Sequence, residues 1–150
     1  MGFINTALTA IEDQLKTLVP SEVQVKQHPG RFTEDELSKT LIKRKAVRLA
    51  IEGFEKQSVQ GNGIRMVQAR FIAHVICSDI KGEDRHTAAL DIVEQLVGVV
   101  AYAQWGDEAI FNSPVSPASI EVTNLYSGDL SNGKGIAWWS ISWVQAIRNN

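Results

Sequence analysis

The chain has 150 residues, a length that favours one domain over residues 1–150 whose core needs no disulfide or metal. Its 44% hydrophobic and 21% charged residues are ordinary for a soluble domain, and a net charge of −2 gives no broad basic field for nucleic acid. The single cysteine, Cys77, excludes an internal disulfide and fits a reducing compartment.

The first third of the chain predicts a helix, a short strand and a second helix. Apolar residues recur at helical spacing from Phe3 to Leu18, and Pro20 ends this helix. Val23 to Val25 is a short strand candidate. The capping box Thr33–Glu36 starts a short helix. The basic run Lys43–Lys45 after it is typical of a solvated link rather than of a phosphate-binding patch.

Two longer strands follow, Ala46 to Phe54 and Ile64 to Ser78, joined by a polar hairpin loop, Glu55 to Gly63. Successive side chains of a strand point to opposite faces of its sheet. One face of the second strand carries Val67, Ala69, Phe71, Ala73, Val75 and Cys77, and the other carries Met66, Gln68, Arg70, Ile72, His74 and Ile76. Both faces contain apolar residues, although a half-buried strand needs them on one face only.

The second half predicts a long helix followed by two strands. Asp84 caps a helix that runs to about Gln104, and the proline-containing segment Gly106 to Pro117 is a loop. The strands are Ser119 to Tyr126 and Ile136 to Ile147. This order predicts an α+β fold: a mostly antiparallel or mixed sheet of about four long strands, packed against the long helix and the N-terminal helix.

The last strand places tryptophans on opposite faces. Ala137, Trp139, Ile141 and Trp143 share one face, and Trp138, Ser140, Ser142 and Val144 share the other. One face must pack against the helices. The other is either covered by the chain's own helices or forms a subunit interface, where aromatic residues are enriched, and the pattern alone favours neither.

No residue pattern predicts a catalytic or metal site. His28, His74 and His86 lack metal-ligand spacing, and Cys77 at the end of an apolar strand face is typical of a buried, inert thiol. The sequence holds no phosphate loop, dinucleotide fingerprint or nucleophile elbow. We therefore expect no enzyme activity, metal or cofactor. No signal peptide or membrane helix is expected either, because no stretch reaches roughly 18 apolar residues.

Several pieces of the sequence together resemble a known family. They are His28-Pro29-Gly30-Arg31-Phe32, Asp84-Arg85, Gln104-Trp105-Gly106, Asn124-Leu125-Tyr126-Ser127-Gly128, Gly135-Ile136-Ala137-Trp138-Trp139 and Trp143-Val144-Gln145. In this order and spacing they look like the Mu-like phage protein family that supplies the tail terminator of contractile-tailed phages and prophages. The resemblance covers nearly the whole chain, and the Asn-Leu-Tyr-Ser-Gly run with its downstream tryptophans is its most specific part.

The resemblance implies a structural protein of the virion, at the tail–head junction, assembled in the cytoplasm of a bacterial host. Tail terminators are small α+β subunits that form a ring, here expected to be hexameric. The ring caps the tail tube, stops tube and sheath polymerisation and presents a surface for head joining. The implied partners are other copies of the chain, the tail tube protein, the sheath protein and a head-completion or connector protein. The family has no catalytic residues or cofactor to transfer.

From the residues themselves, the candidate contacts of a subunit or tube interface are Arg70, His74, Trp138, Trp139 and Trp143. The candidate docking loops are Glu55–Gly63 and Gly106–Ala118, with the docking residues Lys56, Gln57, Asn62, Asp107, Glu108 and Phe111.

Two alternative functions stay open. One is a head–tail connector or neck protein of the same particle. The other is a small enzyme or ligand-binding domain with a cleft beside His74 and Arg70.

Overall fold

The structure is a computed structural model, and it describes residues 2–28, 45–59, 61, 63–78, 84–129 and 135–149. Four sequence features fall outside these ranges. They are Pro29–Phe32 of the first family-like piece, the short helix predicted to start with the Thr33–Glu36 capping box, the basic residues Lys43 and Arg44, and the candidate docking residue Asn62.

Two helices and a five-stranded sheet make up the described residues, which confirms the α+β class. The elements are α1 (Phe3–Leu18), β1 (Gln24–Gln27), β2 (Lys45–Val59), β3 (Arg65–Ser78), α2 (Arg85–Val100), a 3-10 turn (Pro117–Ser119), β4 (Glu121–Asp129) and β5 (Gly135–Arg148). The strand order is β1-β2-β3-β5-β4. β1 lies parallel to β2 and the other neighbours are antiparallel, so the sheet is mixed.

Both helices pack on the same face of the sheet, α1 on β1 and β2 and α2 on β3 and β5. α1 buries Ala7, Ile11 and Leu15, one helical turn apart, so a single stripe of the helix enters the core. Burial of an Ile or Leu side chain contributes about 1.5–3 kcal/mol, so this stripe holds α1 against the sheet. The predicted faces of the two central strands are confirmed. Their contribution to the sheet side of this core is Val67, Ala69, Phe71, Ala73, Val75, Cys77, Ala137, Ile141, Trp143 and Ile147, with Trp139 packed against it.

The hairpin loop predicted for Glu55–Gly63 is wrong over its first half. β2 continues to Val59 and pairs with β3 as far as Arg65. Two register shifts, between Ile51 and Gly53 and between Phe54 and Lys56, mark bulges in this part of β2. This part of β2 extends beyond the core, so neither of its faces needs apolar residues. Its polar sequence is for this reason typical of a loop.

The long helix ends four residues earlier than predicted, at Val100 rather than Gln104. Tyr102 and Trp105 have φ angles of 63° and 56°, which lie outside the helical region. The chain from residue 101 to 116 therefore folds back on itself. The N–H groups of Tyr102 and Val115 donate to the carbonyls of Val115 and Ala103 over 2.9 and 3.1 Å.

This folded-back segment is held by Gln145 from β5. The Trp105 indole N–H donates to Gln145 Oε1 over 2.8 Å, and Gln145 Nε2 donates to the carbonyls of Ala103 and Ser113 over 3.0 and 3.1 Å. The Trp105 ring lies 5.8 Å from that of Trp143, which lies 5.8 Å from that of Phe71 on β3. The segment is thus packed against the core.

We predict that Gln145→Leu lowers the free energy of unfolding by about 2–4 kcal/mol, because the buried Trp105 N–H and the Ser113 carbonyl both lose their partner. Denaturant unfolding measures the change. Gln68→Leu, at an exposed position of β3, is the matched control and should change stability by less than about 0.5 kcal/mol. Equal losses in both variants would contradict this role for Gln145.

Candidate functional site

The sheet face opposite the helices carries an open groove of about 790 Å³. The groove spans the four antiparallel strands β2, β3, β5 and β4, because alternate residues of each strand point to this face. The lining residues are Ala50, Ile51, Glu52, Arg70, Ile72, His74, Glu121, Thr123, Leu125, Trp138, Ser140 and Ser142. The groove therefore combines an apolar floor with hydroxyl groups and charged side chains at its edges.

His74 and Trp138 form a buried pair at one end of the groove. The Trp138 indole N–H donates to His74 Nδ1 over 2.9 Å, and the ring centroids lie 5.5 Å apart. Because Nδ1 accepts this bond, the neutral ring carries its proton on Nε2. Burial, with a smaller contribution from His28, lowers the pKa of His74 to about 4. His74 is therefore neutral at neutral pH and serves as a fixed acceptor.

Trp138 also belongs to a small apolar cluster on this face. Ile76 and Ile136 are buried beside it, and Tyr126 packs against them. The face thus has a closed, apolar end beside His74 and an open end toward Glu52 and Glu121.

Arg70 links β2 and β4 across the open end of the groove. Its guanidinium donates to Glu55 Oε1 on β2, and it lies 4.0 Å from Glu121 Oε2 on β4. The hydrogen bond to Glu55 raises the pKa of Arg70, which stays charged. With Glu52 also on the lining, the carboxylates outnumber the cation around this end, and the groove presents a net negative charge.

Arg48 is a buried cation that the sequence analysis did not single out. It lies opposite His74 in the β2–β3 register and is 4% exposed. Its guanidinium donates to Gln24 Oε1 over 2.7 Å and to the carbonyls of Gln24 and Val47 over 3.3 Å each. Burial lowers its pKa. The available signal was a basic residue inside the apolar run Ala46–Ala50.

Of the candidate interface residues, Arg70, His74 and Trp138 lie together on the lining of the groove. Trp139 lies on the other face, half-buried against the helix-side core. Trp143 is wrong as an interface residue, because it is fully buried between the rings of Phe71 and Trp105.

Three of the predicted docking residues do not lie in exposed loops. Lys56 and Gln57 lie in β2 rather than in a loop, paired with Gln68 and Val67 of β3. Phe111 is fully buried and is wrong as a docking residue, because its segment is folded against the core.

Asp107 and Glu108 keep a surface position at the same end of the sheet as the β2–β3 hairpin. Asp107 is half-buried, with its carboxylate accepting a bond from the Ile110 N–H over 3.2 Å, and Glu108 is exposed. The Arg148 N–H donates to the Ile110 carbonyl over 3.0 Å, and Arg148 pairs with Met66 near the start of β3. The two candidate docking segments therefore lie near each other.

Among the described residues, no group of three or more His, Cys, Asp or Glu side chains could hold a metal ion. Within the same ranges, no helix has the length and hydropathy needed to cross a bilayer. Comparison with models of known protein families and with curated proteins finds no match to the chain.

We predict that His74 makes stability depend on pH between about 6.5 and 4. Its pKa is about 4 in the folded protein and near 6.5 when unfolded, so acidification protonates the unfolded chain first. The contribution is fully present above pH 6.5 and is lost as pH falls through this window, by about 3 kcal/mol in total.

Denaturant unfolding between pH 7 and 4 measures this loss. His74→Asn keeps an acceptor oxygen for Trp138 but does not titrate, so its stability should fall by less than that of the parent. His86→Asn removes an exposed histidine and should keep the parent profile. Parallel profiles for the parent and His74→Asn would rule out His74 as the source.

Proposed function

We propose that the chain is the ring-forming tail terminator of a contractile-tailed phage or prophage. In this role it caps the tail tube, stops tube and sheath polymerisation and provides the surface for head joining. The tube protein, the sheath protein and a head-completion or connector protein are its partners, and the assembled ring lies at the tail–head junction of the virion.

The observation that carries the proposal is the exposure of the two outer long strands. Phe54 and Val59 on β2 are 43% and 69% exposed, and Val122 and Leu125 on β4 are 42% and 43% exposed. Large apolar side chains on both sides of one sheet are typical of a subunit that contacts different neighbours through different surfaces. A ring of identical subunits makes that kind of contact.

The positions of the family-like sequence pieces also support the proposal. Trp105, Trp143 and Gln145 come from two distant pieces and contact one another directly in the core. Asn124 and Leu125, from the most specific piece, lie exposed on an outer strand. One part of the pattern thus serves the fold, and another lies where a neighbouring subunit could bind.

The titratable groups in the groove favour a binding surface over a catalytic one. His74 is neutral, and its Nδ1 already accepts a bond from Trp138. Arg70 is held between Glu55 and Glu121. Groups engaged in this way can orient a partner, whereas a general acid or base needs a pKa near the working pH.

Native mass measurement tests the ring. We expect a species of about six times the 16.5-kDa monomer, alone or on isolated tail tubes. Leu125→Glu should weaken this species at least about tenfold, because a charge would replace an apolar contact. Leu90→Glu, on α2 and similarly exposed at 48%, is the matched control. A monomer at high concentration that also fails to bind tubes would overturn the proposal.

Phage particles assembled without this chain distinguish a tail terminator from a head–tail connector. A missing terminator should leave tube polymers that are too long. Normal tails without heads would instead identify a head–tail connector. Electron microscopy of such particles distinguishes the two outcomes.

A second candidate function is small-ligand binding, an alternative that the sequence leaves open, because the groove lies beside His74 and Arg70. Its volume of about 790 Å³ is within the usual range for ligand sites. A thermal-shift screen tests it. A compound that raises the melting temperature of the parent but not of Ser140→Leu would support ligand binding.

A further inference from the structure

Within the described part of the chain, the sheet has open strand edges at both of its ends. Among the described residues, β4 pairs with β5 alone, so its other edge presents unpaired backbone groups along Glu121–Leu125. At the opposite end, β1 covers β2 only along Ala46–Leu49. The outer edge of β2 is therefore open from Ala50 to Val59 within the described part of the chain.

The β4 edge carries little of the protection that natural proteins give to such edges. It contains no lysine and no proline between Glu121 and Asp129, and every residue from Glu121 to Leu125 is exposed. Exposed edges without these residues pair readily with other chains. A bulge between Asn124 and Tyr126 interrupts it at one place. This composition fits a strand that a partner covers.

We propose that β4 of one subunit pairs with the open part of β2 in a second copy, so that one continuous sheet runs around the ring. The inference rests on the proposed ring and names the contact that builds it. β2, β3, β5 and β4 alternate in direction. Two copies that keep the same orientation therefore bring β4 and β2 together antiparallel, which is the more stable pairing.

The position of the two edges explains why a second copy fits this contact. The edges differ and lie at opposite ends of one sheet, so the contact joins the tail of one subunit to the head of the next. Such a contact repeats until the ring closes. Pairing of β4 with another β4 would instead stop at a dimer.

The strand registers also fix how the two copies are offset. Glu121 lies level with Ala50, through Ser142 and Ile72 of the strands between them. From Glu121 onward, β4 extends toward the end of the sheet that contains Lys45. The open part of β2, from Ala50 to Val59, extends toward the opposite end. Full overlap corresponds to a shift of about seven residues, and because paired residues share a face of the sheet, the shift is about six or about eight residues, or about 20–27 Å. Over four strands per copy, this tilts the strands by roughly 50° from the ring axis, an inclination of the order found in closed barrels.

Disulfide trapping tests the contact in the assembled full-length chain. Thr123 points to the groove face of β4. On β2, Ser58 lies opposite Met66, which is on that face, and Lys56 lies opposite Gln68 in the register. Thr123→Cys is therefore combined with Ser58→Cys or with Lys56→Cys. Within one subunit the two strands are about 14 Å apart, too far for a disulfide, so any bond formed joins two copies.

We expect one of these pairs to give a covalent ladder longer than a dimer under mild oxidation. Thr123→Cys with Gln57→Cys is the matched control, because residue 57 points to the other face, and it should stay monomeric on a denaturing gel. A ring that forms without any cross-link from either same-face pair would overturn the inference and leave the ring proposal standing. A parent chain that forms no ring would overturn both.

Proline substitution provides an independent test that needs no exact register. Of the neighbours Val122 and Thr123, one N–H points to β5 and the other to the open edge. One of Val122→Pro and Thr123→Pro should therefore keep the melting temperature of the monomer within a few degrees and still lose the ring. Ring formation by a proline variant of each position would contradict edge pairing.

Discussion

The antiparallel pairing of β3 with β5 is the constraint on which the rest of the structure depends. It runs without interruption from Met66–Arg148 to Ser78–Ile136. This register places Phe71 opposite Trp143 on the helix side and His74 opposite Ser140 on the groove side. A shift of one residue would move every side chain of β5 to the other face. Trp143 would then leave the core and Trp138 would leave His74.

The same register divides the molecule into a fixed side and an open side. On the helix side, Gln145 and the ring stack of Phe71, Trp143 and Trp105 hold the segment that follows α2. The buried Gln145 amide and the Trp105 indole N–H are satisfied by these bonds, which allow one arrangement of the segment, so this side keeps its shape. On the other side, the groove and the outer strands carry exposed apolar and charged side chains. In the proposed ring, contacts with partners therefore lie on the open side and at the sheet ends.

Local sequence patterns could predict the helices and the faces of β3 and β5, because burial against a helix layer imposes a period of two or 3.6 residues. They could not predict β2 beyond Phe54, since a strand outside the core is under no such requirement. The segment after α2 was predicted to be a docking loop because its prolines and glycine are typical of loops. The bonds that hold it come from Gln145, which lies 32 to 42 residues away and gives no local signal. Arg48 was missed for a related reason, since its acceptors on Gln24 lie on another strand.

The open edge of β4 has a consequence for the subunit before assembly. An open strand edge with exposed Val122 and Leu125 favours association with any free strand, including wrong ones. The bulge between Asn124 and Tyr126 opposes flat, in-register pairing of two β4 strands, because a bulge bends and twists its strand. A neighbour that presents β2, itself bulged at two places, can follow such a curved edge better than a straight strand can. If the ring forms as proposed, the irregularities in these two strands favour head-to-tail pairing of β4 with β2 over pairing of two β4 strands.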